Sequence, residues 1–371
     1  MGIHVLPTVK RAEINVCMQK VSKTFHSQKP SRNNDGVCKM RLTLLALCAT
    51  SCRGMTFRSF SPSFRTLKVG VWQGTSHLGD VAENLLTLER AASVCEQQGV
   101  ELLVLPELFL HGYGCTGAQL GAYALNKFSN ELKRAGELAR RHSVWILLPY
   151  AERASRVNNS AVVFDVYNSV AFFDPSDGRL AHQYRKVHLA GLAESSLYHR
   201  GAPEDLEPFT LVTASGTGVS IGVAVCYDLE FPEHARTLAM RGAEVLVAPS
   251  AVGPKATTQS FCSARAMENL LYVVNANAEG EASFPLNFAQ FAGSSAVYAP
   301  DGKVLAQIAQ STGGSLLTAT LELKEQHSVV RGFYFAERQA LRDRGYYAES
   351  WDRGNITVLR TRFDRGEKTF W

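Results

Sequence analysis

A carboxylate, an ammonium and a thiol each stand at the end of an expected strand in this sequence. They are Glu107 in LLVLPELFLHGYG, Lys186 in HQYRKVHLAG and Cys226 in VSIGVAVCYDLEFPEHAR. These types complement one another chemically. A thiol attacks as a thiolate, so it needs a partner that takes its proton. The oxyanion formed on attack at a carbonyl needs positive charge or N–H donors. Taken singly, each has a plainer reading: a surface or capping carboxylate, a solvated ammonium, a buried inert thiol. Their joint occurrence at apolar strand ends, where sites form in α/β sheets, is far more specific. A Cys–His pair using His188, His199 or His234 is the competing arrangement, although no protease signature surrounds Cys226.

The elements that must position these residues follow from periodicity. Residues 68–73 (KVGVWQ) alternate like a strand. Asp80 reads as an N-cap, with Glu83 completing a capping box. Val81, Leu85, Leu88, Ala92 and Cys95 recur at helical spacing, so that face packs inward until Gly99 stops the helix. Residues 101–106 (ELLVLP) form a short buried strand that delivers Glu107. A second helix is expected over Phe128–Arg141, with Phe128, Leu132, Ala135 and Leu138 inside, followed by a strand over 144–151. Two long strands, about 160–174 and 179–186, turn at Pro175–Gly178 and deliver Lys186. Ser220–Cys226 is a buried strand. Helices over 233–241 and 261–270 then alternate with strands over 243–250 and 271–278, and a hairpin at Pro300–Gly302 closes the series. Strands alternating with helices, with some hairpins, give an α/β class. No linker divides 67–330, which reads as one domain. The tail 331–371 is rich in Arg, Tyr and Trp without clean periodicity, and is expected to contact a partner subunit or to fray.

Charge is unevenly placed. The net charge is +5, yet residues 1–66 hold eleven Lys/Arg against Glu13 and Asp35, so the rest of the chain is mildly acidic. A basic leader on an acidic body does not describe a nucleic-acid binder. The apolar run Leu42–Ala49 is too short to span a bilayer, which needs roughly 20 residues. The leader reads as a disordered extension or a targeting segment. The cytoplasm is the expected compartment. A start at Met55 would instead give MTFRSFSPSFRT, an Arg- and Ser-rich presequence of mitochondrial type. Of the eight cysteines, the four in the body are scattered without CxxC or zinc-like spacing, which fits free thiols in a reducing compartment.

The chain resembles the nitrilase superfamily, the carbon–nitrogen hydrolases, from Leu67 to Leu321. The resemblance is carried by PELFLHGY, YRKVHL and CYDLEFPE, supported by GLAESSLYHRG (Glu194, Tyr198, Gly201), RAMEN (Arg265–Asn269) and GSSAVYAPDGKVL. It implies a four-layer α-β-β-α sandwich and a Glu107–Lys186–Cys226 triad. In that triad Glu107 is the base, Lys186 and the Tyr227 backbone N–H stabilise the oxyanion, and Cys226 carries a thioester. Glu194 resembles the family's second glutamate. No metal or organic cofactor is implied. A homodimer or larger assembly is, through segments 233–242 and 261–270. Tyr227–Asp228, where true nitrilases carry Trp–Glu, favours an amide over a nitrile. CYDLEFPE resembles aliphatic amidases that act on amino-acid amides and ω-amino amides such as 5-aminopentanamide. Omega-amidases tend to carry Arg at the place of Glu230, and N-carbamoylputrescine amidases Trp at the place of Tyr227. Glu230 is thus either a selector for a cationic substrate or a helix N-terminal acid, and Tyr113 either a pocket wall or core. The expected activity is hydrolysis of a small aliphatic or amino-acid-type amide to acid and ammonia. The alternatives are an ω-amidase, a carbamoyl-amide hydrolase of the same superfamily, or a non-catalytic scaffold with the fold.

Overall fold

The computed structural model describes residues 65–323 apart from 159–160, 254, 282–289 and 309–313. The chain divides after Ser61, and all described residues lie in the second unit, Pro62–Trp371. The leader readings and the tail 331–371 fall outside the described residues.

Two six-stranded sheets carry the structure. The first is ordered β14-β1-β2-β3-β4-β5, with β1 Arg65–Gln73, β2 Leu102–Val104, β3 Trp145–Asn158, β4 Ala161–Phe173, β5 Leu180–Arg185 and β14 Ser315–Leu323. The second is ordered β13-β12-β9-β8-β7-β6, with β6 Phe209–Val212, β7 Gly218–Val223, β8 Val245–Ser250, β9 Tyr272–Asn277, β12 Ala296–Tyr298 and β13 Val304–Gln307. β10 Glu279–Glu281 and β11 Gln290–Ala292 pair as a separate ribbon. Each large sheet has three adjacent parallel strands, β1-β2-β3 and β7-β8-β9, flanked by antiparallel ones.

Alternation along the strands explains the layering. Leu67, Val69 and Val71 of β1 share the core between the sheets with Val219, Ile221 and Val223 of β7 and with Val170, Phe172, Val245 and Val274. The opposite face of the first sheet packs on α1 (Val81–Gln97) and α3 (Asn130–Arg141), through Leu85, Leu88, Leu132 and Leu138 against Leu103, Ile146 and Leu148. The outer face of the second sheet packs on α5 (Pro232–Met240) and α6 (Lys255–Asn269), through Leu238, Cys262 and Ala266 against Leu246 and Val273. The order is α-β-β-α, as the resemblance implied. Each fully buried aliphatic side chain contributes roughly 1.5–3 kcal/mol. Trp145 Nε1 donates to Val212 O at 2.9 Å and Tyr272 Oη to Glu322 O at 2.8 Å, polar ties between the sheets.

Several local expectations are refined. Asp80 caps α1, its carboxylate accepting from Glu83 N at 3.0 Å, but Glu83 pairs with Arg90 at 2.7 Å rather than reaching back. The second helix begins at Asn130, capped by Ser129, because the Ser hydroxyl takes the Leu132 N–H. Phe128 therefore lies outside the helix and is 71% exposed, not on its inner face. α6 begins at Lys255, six residues earlier than its apolar face indicated. The short helices α2 (Gly117–Tyr123) and α4 (Gly191–Leu197) carry too few residues to show a period. Among the described residues, no helix is long and apolar enough to cross a membrane.

Candidate active site

Glu107 follows β2, and its N–H reaches across to Ser250 O, the last residue of β8, at 3.4 Å. Leu108 then turns through φ +51°. Lys186 follows β5, held by its own N–H on Asn168 O (2.8 Å) and by Gly201 N–H on its carbonyl (2.8 Å). Only glycine fits at 201, because a Cβ there would meet Arg185 O at 2.2 Å. Strand β7 ends at Val223, so Cys226 is not the end of a strand. It opens a 3-10 turn over Cys226–Glu230, with φ +51°. A non-glycine residue in that region costs about 1 kcal/mol or more, a strain typical of functional turns. The turn is braced from α6, where Arg265 Nε donates to Leu229 O (2.9 Å) and Nη2 to Glu230 O (3.3 Å).

These loops bring the predicted charges together. Lys186 is fully buried, and its ammonium donates to Glu107 Oε1 at 2.7 Å and to Glu194 Oε1 at 2.9 Å. Glu107 Oε1 also accepts from Asn168 Nδ2 at 2.8 Å, whereas Glu107 Oε2 is buried with no partner. Glu194 Oε1 accepts from Tyr113 Oη (2.6 Å) and Oε2 from Ala190 N (2.7 Å). Tyr113 is thus tied to the charged cluster, and its ring meets Phe291 edge-on at 6.1 Å. Glu230 is exposed, outside the buried cluster, and partial burial raises its carboxyl. Tyr227, beside the thiol, is partly buried. The second N–H of such a turn has no partner within it.

Burial raises the Glu107 carboxyl above its ordinary value, and the facing Glu194 adds to this while Lys186 opposes it. Burial alone would lower the Lys186 ammonium, but Glu107 and Glu194 outweigh it and hold the charge well above the ordinary range. Burial pushes the Cys226 thiol well up, with Glu107 adding to the effect. The resting sulfur therefore keeps its proton. The arrangement offers a protonated nucleophile, a buried carboxylate with one free oxygen, and a fixed cation.

Sequence reading missed Asn168, and took Asp228 only as a mark of substrate class rather than as a buried bridge. Asn168 is in phase with Val170 and Phe172, so an amide interrupting the inward apolar face of β4 was the available signal. Asp228 is fully buried and accepts from Val225 N (2.9 Å), Tyr184 Oη (2.6 Å), His188 N (2.9 Å) and His188 Nδ1 (2.9 Å). Burial would raise this carboxyl, but His234, His188, Lys186 and Tyr184 together lower it. His188, Asp228 and His234 are close enough to invite a metal reading. However, four donors fill the carboxylate's acceptor sites. His234 Nε2 is committed to Val223 O at 2.8 Å, and His199 lies near Asp165 at 3.4 Å. Among the described contacts, no imidazole is bonded to the Cys226 thiol.

The sequence pattern of the family described as Carbon-nitrogen hydrolase matches residues 68–329. The chain belongs to that family. This carbon–nitrogen hydrolase is 33% identical over 243 residues to an (R)-stereoselective amidase of Pseudomonas sp, covering 64% of this chain and 80% of the relative. It is 32% identical over 242 residues to a 2-oxoglutaramate amidase of Bacillus subtilis, covering 63% and 83%. Among solved structures it is similar to the amidase from Nesterenkonia sp. AN1, in a glutamate variant showing covalent addition of the acetamide moiety of fluoroacetamide at the active site cysteine. That likeness has TM-score 0.57 and 25% identity, over 76% of this chain and 96% of the other. The enzyme hydrolyses carbon–nitrogen bonds other than peptide bonds, converting amides to acids through a cysteine thioester.

Proposed function

We propose that Cys226, Glu107 and Lys186 carry the reaction on a small amide with an uncharged or cationic acyl group. The observation that carries this is the unpartnered Glu107 Oε2, in a carboxylate whose other oxygen is fixed by Lys186 and Asn168. Oε2 takes the Cys226 proton as Sγ bonds to the amide carbon. The oxyanion is held by the Lys186 ammonium and the Tyr227 N–H. Collapse breaks the C–N bond, and the proton on Glu107 passes to the departing ammonia. Water then gives a proton to Glu107 and its oxygen to the thioester carbon. The C–S bond breaks, the sulfur regains a proton and the acid leaves. Glu194, fixed by Tyr113 and Ala190 N, orients Lys186.

Glu107 and Glu194 face one ammonium, so with both ionised this core carries one net negative charge. That disfavours a substrate carboxylate close by. The similarity to a 2-oxoglutaramate amidase favours a second reading, an ω-amidase, which would have to accept one. Ammonia release from hexanamide, 5-aminopentanamide and 2-oxoglutaramate separates the two. The first two should be hydrolysed at least tenfold more efficiently than the third, a difference of roughly 1.4 kcal/mol. A preference for 2-oxoglutaramate would establish the ω-amidase reading instead. Cys226→Ala should abolish turnover of all three, and retained activity would remove the triad.

A further inference from the structure

The buried carboxylate of Asp228 has no part in the steps above, yet it touches both sides of the site. On one side it holds Val225 N, the residue before the nucleophile. On the other it holds His188 N and Nδ1, two residues past Lys186, and Tyr184 Oη, two residues before it. Tyr184 Oη in turn accepts from Val187 N at 3.3 Å. The chain leaving β5 and the turn following β7 come from different sheets, and one carboxylate spans the gap between them. His188 is fixed from its other face by stacking on Phe231 at 3.8 Å, on the same turn-to-helix segment as Asp228. These contacts leave Lys186 and Cys226 little freedom to move apart.

We propose that Asp228 is a positioning residue that sets the register of the Lys186 ammonium against Cys226, with His188 as its second arm. The inference rests on the assignment of Lys186 to the oxyanion. Misplacing an oxyanion donor acts on the transition state more than on the bound amide. The loss should therefore fall on kcat rather than KM. Asp228→Asn keeps the shape but turns one acceptor oxygen into a donor facing other donors. His188→Phe keeps a flat ring against Phe231 and removes only the Nδ1–H arm.

Both variants are assayed on the best amide of the panel above, and kcat is expressed per folded molecule, the folded fraction being read from the near-ultraviolet circular dichroism of the same sample. Asp228→Asn should lose about 100-fold or more in kcat per folded molecule, with KM within about threefold. His188→Phe should lose about tenfold in the same way. A merely structural role would lower the folded fraction and the rate together, leaving kcat per folded molecule unchanged. The proposal is overturned if Asp228→Asn keeps kcat per folded molecule within about threefold of the parent, or loses in KM alone. Where Asp228→Asn does not fold, the same criterion on His188→Phe decides. Activity surviving in Cys226→Ala would instead remove the triad, and that result is independent of these two variants.

Discussion

At the scale of single residues, burial gives the carboxylate and the thiol matching tasks. It raises both groups, so the resting thiol holds its proton and the carboxylate becomes a better proton acceptor. The reaction must begin from the ionised carboxylate. The acid limb of kcat/KM should therefore lie above 4.5, the ordinary value for this group, since activity is lost as pH falls through the raised value. A limb at or below 4.5 would exclude Glu107 as the base. Glu107→Gln keeps acceptor and donor atoms but cannot shuttle the proton, and should lose about 100-fold or more in kcat at every pH. A Cys–His enzyme would tolerate it. Cys226 was singled out by its flanks, and Glu107 and Lys186 by the resemblance of their segments rather than by their own chemistry. The bonds of Asn168 to Glu107 and of Asp228 to His188 were not legible, because each joins residues distant in sequence.

At the scale of elements, long periodic segments were readable and short or strained ones were not. α1 shows its inner face through Leu85, Leu88, Ala92 and Cys95. The turn carrying Cys226 shows nothing in its sequence of the +51° φ that lifts the thiol out of the strand. β14 pairs with β1 along nine positions, from Arg65↔Leu323 to Gln73↔Ser315, yet its partner lies some 250 positions away, so no local pattern announces it. Close approaches are equally silent. Gly136 sits mid-helix in α3, where a Cβ would meet Gly178 O at 2.0 Å. Gly136→Ala gains helix propensity but must push backbone from backbone. It should lower the unfolding free energy by about 1–3 kcal/mol in urea melts while kcat per active thiol stays the same. A neutral or stabilising result would mean that α3 can lift off the hairpin turn.

For the molecule as a whole, the buried titratable groups predict how it meets acid. His111 is fully buried, Nε2 donating to Tyr123 O (2.8 Å) and Nδ1 accepting from Ala151 N (3.1 Å), so both ring nitrogens are satisfied only in the neutral form. Burial lowers its pKa from 6.5 to about 4. Above 6.5 neither the folded nor the unfolded state binds this proton. Between 6.5 and about 4 only the unfolded state binds it, so stability falls as pH falls through that window. The shift corresponds to roughly 3 kcal/mol across it. Burial of His182 acts with the same sign. Asp228 and Glu152, both lowered by their partners, withdraw support at still lower pH. Glu107 acts oppositely: its raised carboxyl takes up a proton in the folded state first, which favours folding as pH falls. Urea unfolding of the parent at pH 7 and pH 4.5 should show a clear fall in midpoint. His111→Gln is expected to be less stable at pH 7 but to show a smaller fall, because the buried imidazole that resists protonation in the folded state is gone. An equal fall in both proteins would place the acid sensitivity on another buried group that titrates in this window, such as His182.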